Sequence, residues 1–376
     1  MPVFKNHIAV KITQSMTVFL ALKAGFMRGE VMDRSARVQR ARAAEPERNG
    51  RAGKQGWTLE KANRQLERKK RRIARLQKVL EAREAENARK TSNVETALDP
   101  QSLIWMFGTA RVGSTWLASM MDEPKGHTVW HEPLVGSLFG HFYYVRAAHR
   151  RGHHAILGKP DELRSRLIRS FVLQAAEAKF PKAKSREYLV VKEPNGSLGA
   201  PLISEAFPES RMIFLVRDPR DVVSSNLSGH AEGGWFREAY NKGRRKESPP
   251  PEDPDTIVKN KAEQYRDFIG KSKEAFESHK GPKVLVRYEE LRADTSDTMM
   301  RIYSTLGIPV DQEQVARAVE KHAWENIPEE KKGEGKFYRK ATPGGWKEDL
   351  TPEQARIVEE ITAPLLKEFY PGSTRK

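Results

Sequence analysis

The chain has no cysteine in its 376 residues. Disulfides, a thiolate nucleophile and Cys-ligated zinc are therefore excluded. Nothing in the composition is built for an oxidising compartment, so a cytoplasmic location is the simplest reading. Long hydrophobic runs are missing too. The most apolar stretch near the start is only the eleven residues between Lys11 and Lys23, broken by Thr, Gln and Ser. A spanning helix needs about 20 apolar residues, so this stretch reads as a buried or interfacial helix, peripheral to a membrane, with a signal or anchor as the lesser alternative because no small-residue cleavage site follows clearly. Histidines occur at 127, 131, 141, 149, 153 and 154, but with no HExxH or comparable ligand spacing. No metal is expected on that ground.

Positive charge, in contrast, is abundant. The formal net charge is +17, which draws polyanions: nucleotide phosphates, nucleic acid, acidic glycans or anionic membranes. Much of it sits between Asp33 and Lys90, around Arg68-Lys69-Lys70-Arg71-Arg72. Leu59, Leu66, Ile73 and Leu80 recur there every seven residues, with Leu76 as a partial second seam. This spacing predicts a basic helix of coiled-coil type. Two readings stay open for it, a homo-oligomerisation seam and a solvated arm that contacts an anionic surface. Nucleic acid is disfavoured, because no aromatics interleave and no recognition motif is present.

After Asp99-Pro100 the texture becomes globular, which divides the chain into an extension over 1–100 and a globular domain over 101–376. Strands are expected at Leu103–Phe107, Thr128–His131, Tyr188–Lys192, Met212–Val216 and Lys283–Tyr288. Helices are expected at Ser114–Met121, Gly199–Ala206, Pro219–Ser228, Asp255–Glu277 and Ser296–Leu306. Such alternation predicts an α/β fold, a parallel central sheet with helices on both faces. Sites in such sheets lie at the strands' carboxyl ends.

Two segments at such ends carry anion chemistry. The strand LIWMF runs into GTARVGST (Gly108, Thr109, Ala110, Arg111, Val112, Gly113, Ser114, Thr115) and then a helix. Strand, glycine turn and helix N-terminus make an anion cradle. The glycines have Walker spacing, but Ser114 stands where the Walker lysine belongs, and the cation is Arg111 within the loop. The missing lysine weakens a P-loop kinase or ATPase reading without ending it, since Asp218 follows the later strand. In MIFLVRDPRDVVSS, Arg217 closes that strand and offers a guanidinium fork, and Ser225 follows eight residues later.

Together, GTARVGSTWL and FLVRDPRDVVSS resemble the paired signatures of sulfotransferases that use 3′-phosphoadenosine 5′-phosphosulfate (PAPS). Two further segments agree. Arg339 to Lys347 (RKATPGGWK) resembles R-K-G-x-x-G-D-W-K, departing at Ala341 and Gly345, and VLVRYEEL resembles the strand whose tyrosine contacts adenine. The resemblance covers about Ser102 to Tyr370. It implies a P-loop-like sulfotransferase fold, donor PAPS, product PAP and no metal. The first motif would hold the 5′-phosphosulfate, with Arg111 stabilising the departing phosphate. Arg217, Ser225, Arg339 and Lys340 would hold the 3′-phosphate, and Trp116 and Tyr288 the adenine. Glu132 in VWHEPL resembles the catalytic Glu of tyrosylprotein sulfotransferases, and EPL recurs in carbohydrate sulfotransferases. No His stands in VVKEPNG, so the expected base is Glu132, with Glu193 second, and Lys192 matches a cation near the donor's bridging oxygen.

The acceptor is expected to be a hydroxyl, preferably of a carbohydrate or glycoconjugate. Its contacts would come from Gly136–Lys159 and Gly229–Asp255, which carry His141, Phe142, Tyr143, Tyr144, Trp235, Phe236, Arg244 and Arg245. A rival outside enzymology is a polyanion-binding scaffold built around the basic helix.

Overall fold

The computed structural model describes residues 63–79, 98–141, 143–144, 162–181, 187–238 and 253–372. The chain divides into two compact units, Met1–Glu95 and Thr96–Lys376. In the first, residues 63–79 are helical, with Leu66 and Ile73 partly covered and Leu76 and Val79 exposed. Leu59, Leu80 and the apolar stretch between Lys11 and Lys23 lie outside the described residues. Among the described residues, no helix is long and apolar enough to cross a membrane.

The second unit is built on five strands: β1 (Leu103–Phe107), β2 (His127–His131), β3 (Tyr188–Lys192), β4 (Arg211–Val216) and β5 (Lys283–Arg287). Their order is β2-β3-β1-β4-β5, and every pairing is parallel. The burial of β1 and β4 explains their central places. All five residues of LIWMF are buried, as are Met212–Val216 of β4, the continuous apolar run of a strand covered on both faces. On β5, which lies at an edge, buried and half-buried residues alternate.

The helices are α1 (Ser114–Met121), α2 (Val135–Gly140), α3 (Glu162–Lys179), α4 (Ala200–Ala206), α5 (Pro219–His230), α6 (Pro254–Ser278), α7 (Tyr288–Ala293), α8 (Thr295–Thr305), α9 (Gln312–Lys321), α10 (Trp346–Asp349) and α11 (Pro352–Phe369). Side-chain alternation along β1 splits the core. Ile104 and Met106 join Leu117 and Met120 of α1 and Met299 and Ile302 of α8. Leu103, Trp105 and Phe107 join Ile168 and Val172 of α3 and Leu202 and Ile203 of α4. Helices therefore cover both faces of the sheet.

Three expectations need correction. Tyr288 does not end the last strand; it opens α7, where Glu289 and Glu290 occupy the first turn and suit the positive end of a helix. Gly136–Gly140, expected as loop, form α2. Gly229 and His230 finish α5, while Pro254 and Asp255 begin α6. Arg244, Arg245 and the rest of that loop from 239 to 252 lie outside the described residues, as do Phe142, His149, His153 and His154.

Position β1 sets the site. Its carboxyl end is flanked by those of β3 and β4, so the loops leaving the three strands converge. The turn after β1 depends on Gly113, whose φ of +90° suits glycine. A Cβ there would lie 2.5 Å from the ring of buried Tyr288. Gly113→Ala should therefore lower the unfolding free energy by about 2 kcal/mol, measured by urea denaturation; an unchanged midpoint would contradict this packing.

Candidate active site

A cavity of about 260 Å³ opens at these carboxyl ends. Its floor is the turn between β1 and α1, with Arg111, Gly113, Ser114, Thr115 and Trp116 on the wall. The N-terminus of α1 has no side-chain cap, so its first N–H groups remain available to an anion. Gly108, Thr109 and Val112 do not line the cavity. Gly108 N–H donates to Ser197 Oγ at 3.0 Å, and Val112 packs in the core. These three shape the turn from behind.

On one side stand the ends of β2 and β3. Lys192 is buried, with its ammonium 2.5 Å from Glu132 Oε1 and 3.1 Å from Thr115 Oγ1. Asn195 Nδ2 donates to the other Glu132 oxygen at 2.8 Å. Burial works to raise the Glu132 carboxyl, but the Lys192 ion pair and the Asn195 bond outweigh it and hold the group below the usual carboxylate range. Glu132 is therefore ionised at neutral pH and able to accept a proton. Asn195 was not singled out in the sequence. The available signal was its place in the Pro-Asn-Gly turn directly after β3.

Glu193, the second base expected, does not line the cavity. It is fully buried and points the other way, accepting the Val135 N–H at 2.8 Å. Its Oε2 is buried without a hydrogen-bond partner. Burial, opposed in part by backbone N–H groups of α2, pushes its carboxyl up to about 7.

Across the cavity, Arg217 directly follows β4, with its guanidinium over the Tyr288 ring, 4.4 Å from the centroid. Its Nη1 donates to Arg111 O at 3.1 Å, and its Nε is buried without a partner. Asp221, one turn into α5, accepts the N–H groups of Gly344 at 2.8 Å and Trp346 at 3.0 Å. The segment RKATPGGWK is thereby fastened beside α5. Arg339 there donates to Ser224 Oγ at 2.8 Å and pairs with Asp349 at 2.7 Å. Lys340 lines the cavity, but its ammonium bonds Glu348 and Asp349. Ala341, where the motif has glycine, adopts a left-handed φ of +52°. Trp116 lies edge-on to Tyr288 at 6.3 Å and donates its indole N–H to His322 O.

Arg111 differs most from expectation. Its φ is +70°, and its side chain crosses the cavity rather than staying with the loop amides. Nε donates to Ser225 Oγ at 2.9 Å and Nη2 to Phe337 O at 2.6 Å. The guanidinium packs against both the Trp235 and the Phe337 ring, 5.1 and 4.7 Å from their centroids. Burial, then the charges of Arg217 and Arg339, bring it down to about 10, still charged at neutral pH. The guanidiniums of Arg111, Arg217 and Arg339 thus line one cavity together, an arrangement suited to an anion with more than one phosphate-like group. Phe337 and Arg292 also line it and were not foreseen. Among the described residues, no three His, Cys, Asp or Glu side chains are grouped to hold a metal.

The pH dependence of Glu193 follows from its raised pKa. The folded state keeps the proton that the unfolded chain releases near 4.5. The contribution of Glu193 to stability is thus greatest below its unfolded pKa and is lost as pH rises to about 7, by up to about 3 kcal/mol. Glu193→Gln should flatten this fall between pH 5 and 8, as read from urea melts at several pH values. An equally steep fall would mean that Glu193 is not the group responsible.

Residues 101–370 match the family described as Sulfotransferase domain. No curated protein matches the chain. Among solved structures, it resembles a mouse sulfotransferase, SULT7A1, complexed with PAP: 15% identity, TM-score 0.46, covering 74% of this chain and 91% of that one. Sulfotransferase STF9 from Mycobacterium avium is 15% identical with TM-score 0.43, over 77% and 81% of the two chains. A retinol dehydratase complexed with androsterone and inactive cofactor PAP is 16% identical with TM-score 0.41, over 75% and 84%. The family match spans well over half of the sequence and holds every element just described around the cavity, so the chain belongs to the sulfotransferase domain family.

Proposed function

We propose that the protein transfers a sulfuryl group from PAPS to a hydroxyl acceptor. The observation that carries this reading is the joining of Thr115, Lys192 and Glu132 by two short contacts of one buried ammonium. An anion cradle and an ionised carboxylate are thereby held side by side. The α1 amides with Ser114 and Thr115 would bind the 5′-phosphosulfate, and Arg217, Ser225 and Arg339 the 3′-phosphate. Trp116 and Tyr288 would flank the adenine.

In the reaction, the acceptor oxygen attacks sulfur as the bond from sulfur to the 5′-phosphate oxygen breaks. Glu132 takes the acceptor proton, and PAP leaves with the electron pair of the broken bond. The geometry required is in line, as in phosphoryl transfer. Lys192 would neutralise charge growing on the leaving oxygen. Glu132, Asn195, Trp235 and Phe337 all line the cavity and would frame the acceptor. Aromatic faces beside an amide and a carboxylate suit a sugar ring, which favours a carbohydrate or glycoconjugate hydroxyl. The helix of residues 63–79 carries eight Lys or Arg against one acid, Glu67, and exposes Leu76 and Val79. That composition supports a peripheral contact with an anionic surface.

Calorimetry should detect PAP binding without Mg²⁺. Binding of ATP that requires Mg²⁺, with none of PAP, would favour a kinase or ATPase. Arg217→Ala should weaken PAP at least about tenfold, the scale of a lost charged hydrogen bond; unchanged affinity removes Arg217 from the donor site. Glu132→Gln should lower kcat by about 10²–10⁴-fold with PAP affinity nearly intact. Full activity in that variant rules out Glu132 as the base.

A further inference from the structure

Between β2 and α2 the chain makes a reversal with two non-glycine residues in left-handed conformation, Glu132 at φ +45° and Leu134 at φ +61°, separated by Pro133. Such residues persist only where the surroundings over-determine them. One end of the reversal is held by the sheet, where Glu132 N–H donates to Lys192 O at 2.9 Å. The other end is held by a side chain: Glu193 Oε1 accepts the Val135 N–H at 2.8 Å.

We infer that Glu193 is a positioning residue, which clamps the reversal through Val135 and thereby aims the Glu132 carboxylate into the cavity.

Glu193 is suited to this task because it cannot move. Its own N–H donates to Met106 O at 2.9 Å, tying it to the central strand. Its side chain is fully buried. Backbone closes around it, since a Cβ on Gly196 would lie 2.0 Å from Glu193 Oε2, and one on Gly136 would lie 2.0 Å from Gly196 O. The helix α2 and the turn after β3 therefore touch backbone to backbone, and only glycines permit it. The same contact completes a ring around the catalytic side: Ser137 Oγ donates to Asn195 O at 2.7 Å, and Asn195 Nδ2 donates to Glu132 Oε2. With Oε2 buried and without a partner, the uncharged form is favoured, accepting at Oε1 and carrying its proton on Oε2. The upward shift of its pKa agrees with that state, and a glutamine amide reproduces it.

The inference rests on Glu132 being the base, and the test separates the two. In the full-length protein, kcat with PAPS, KM for PAPS and PAP affinity are measured for Glu193→Ala, Glu193→Asp, Glu193→Gln and Glu132→Gln. Glu193→Ala and Glu193→Asp withdraw the acceptor from Val135 and should lower kcat by about 10²-fold, the scale of a small misplacement, with KM and PAP affinity changed less than about twofold. Glu193→Gln should retain most of kcat. Where Glu193→Ala does not fold, the contrast between Asp and Gln carries the test. Equal kcat for those two variants overturns the positioning role. So does a fall in PAP affinity parallel to kcat, which marks general loosening. If Glu132→Gln keeps full kcat, the base is misassigned and the inference falls with it; if Glu132→Gln is inactive while Glu193→Ala is not, only the positioning role is lost.

Discussion

Lys192 is buried at the carboxyl end of β3, and a buried ammonium costs several kcal/mol unless its donors are satisfied. Thr115 and Glu132 satisfy it, one on the first helix after the glycine turn and the other on the residue that follows β2. Three segments distant in sequence are thereby locked in one geometry. Removing Glu132 leaves a buried charge without its main partner; removing Lys192 leaves the carboxylate held by Asn195 without a countercharge. In the proposed reaction the same cation would also meet the leaving group, which would place structural and chemical demands on one side chain.

The opposite wall is organised by a carboxylate. Asp221 accepts two main-chain N–H groups from the segment Gly344–Trp346 and stands 4.0 Å from Arg217. It brings a segment more than a hundred residues away against α5 and so delivers Arg339 to Ser224. Burial raises the Asp221 carboxyl, while Arg217 and the two N–H groups pull the other way. Arg111, Arg217 and Arg339 then crowd one space, and their mutual repulsion helps lower Arg111. Gathered cations of this kind would favour an anion, as electrostatic preorganisation requires.

Much of this was legible in the chain itself. The strands LIWMF and MIFLV announce themselves because a central parallel strand must be apolar on both faces. The glycine turn could be read because its spacing, and the absent Walker lysine, are local features. Arg217 and Ser225 lie within one strand-helix unit, so their separation survives folding. The same logic fails for Tyr288: a single residue at a junction takes its state from the acids that follow it and from its contact with Gly113, not from the strand before it.

What the sequence by itself determined is the architecture and the inventory: a parallel α/β domain, a phosphate-type turn, a set of cations and two carboxylates at strand ends. Only the tertiary structure decided the orientation of each. Glu132 and Glu193 are both acids at the carboxyl ends of neighbouring strands, yet one faces the cavity with Lys192 and Asn195 while the other turns under α2. Arg111 leaves its own loop for Ser225, and Asn195 joins the site unannounced. The reason is physical: local spacing sets where a backbone goes, whereas the face a side chain takes depends on which buried partners, brought from other segments, can satisfy its charge.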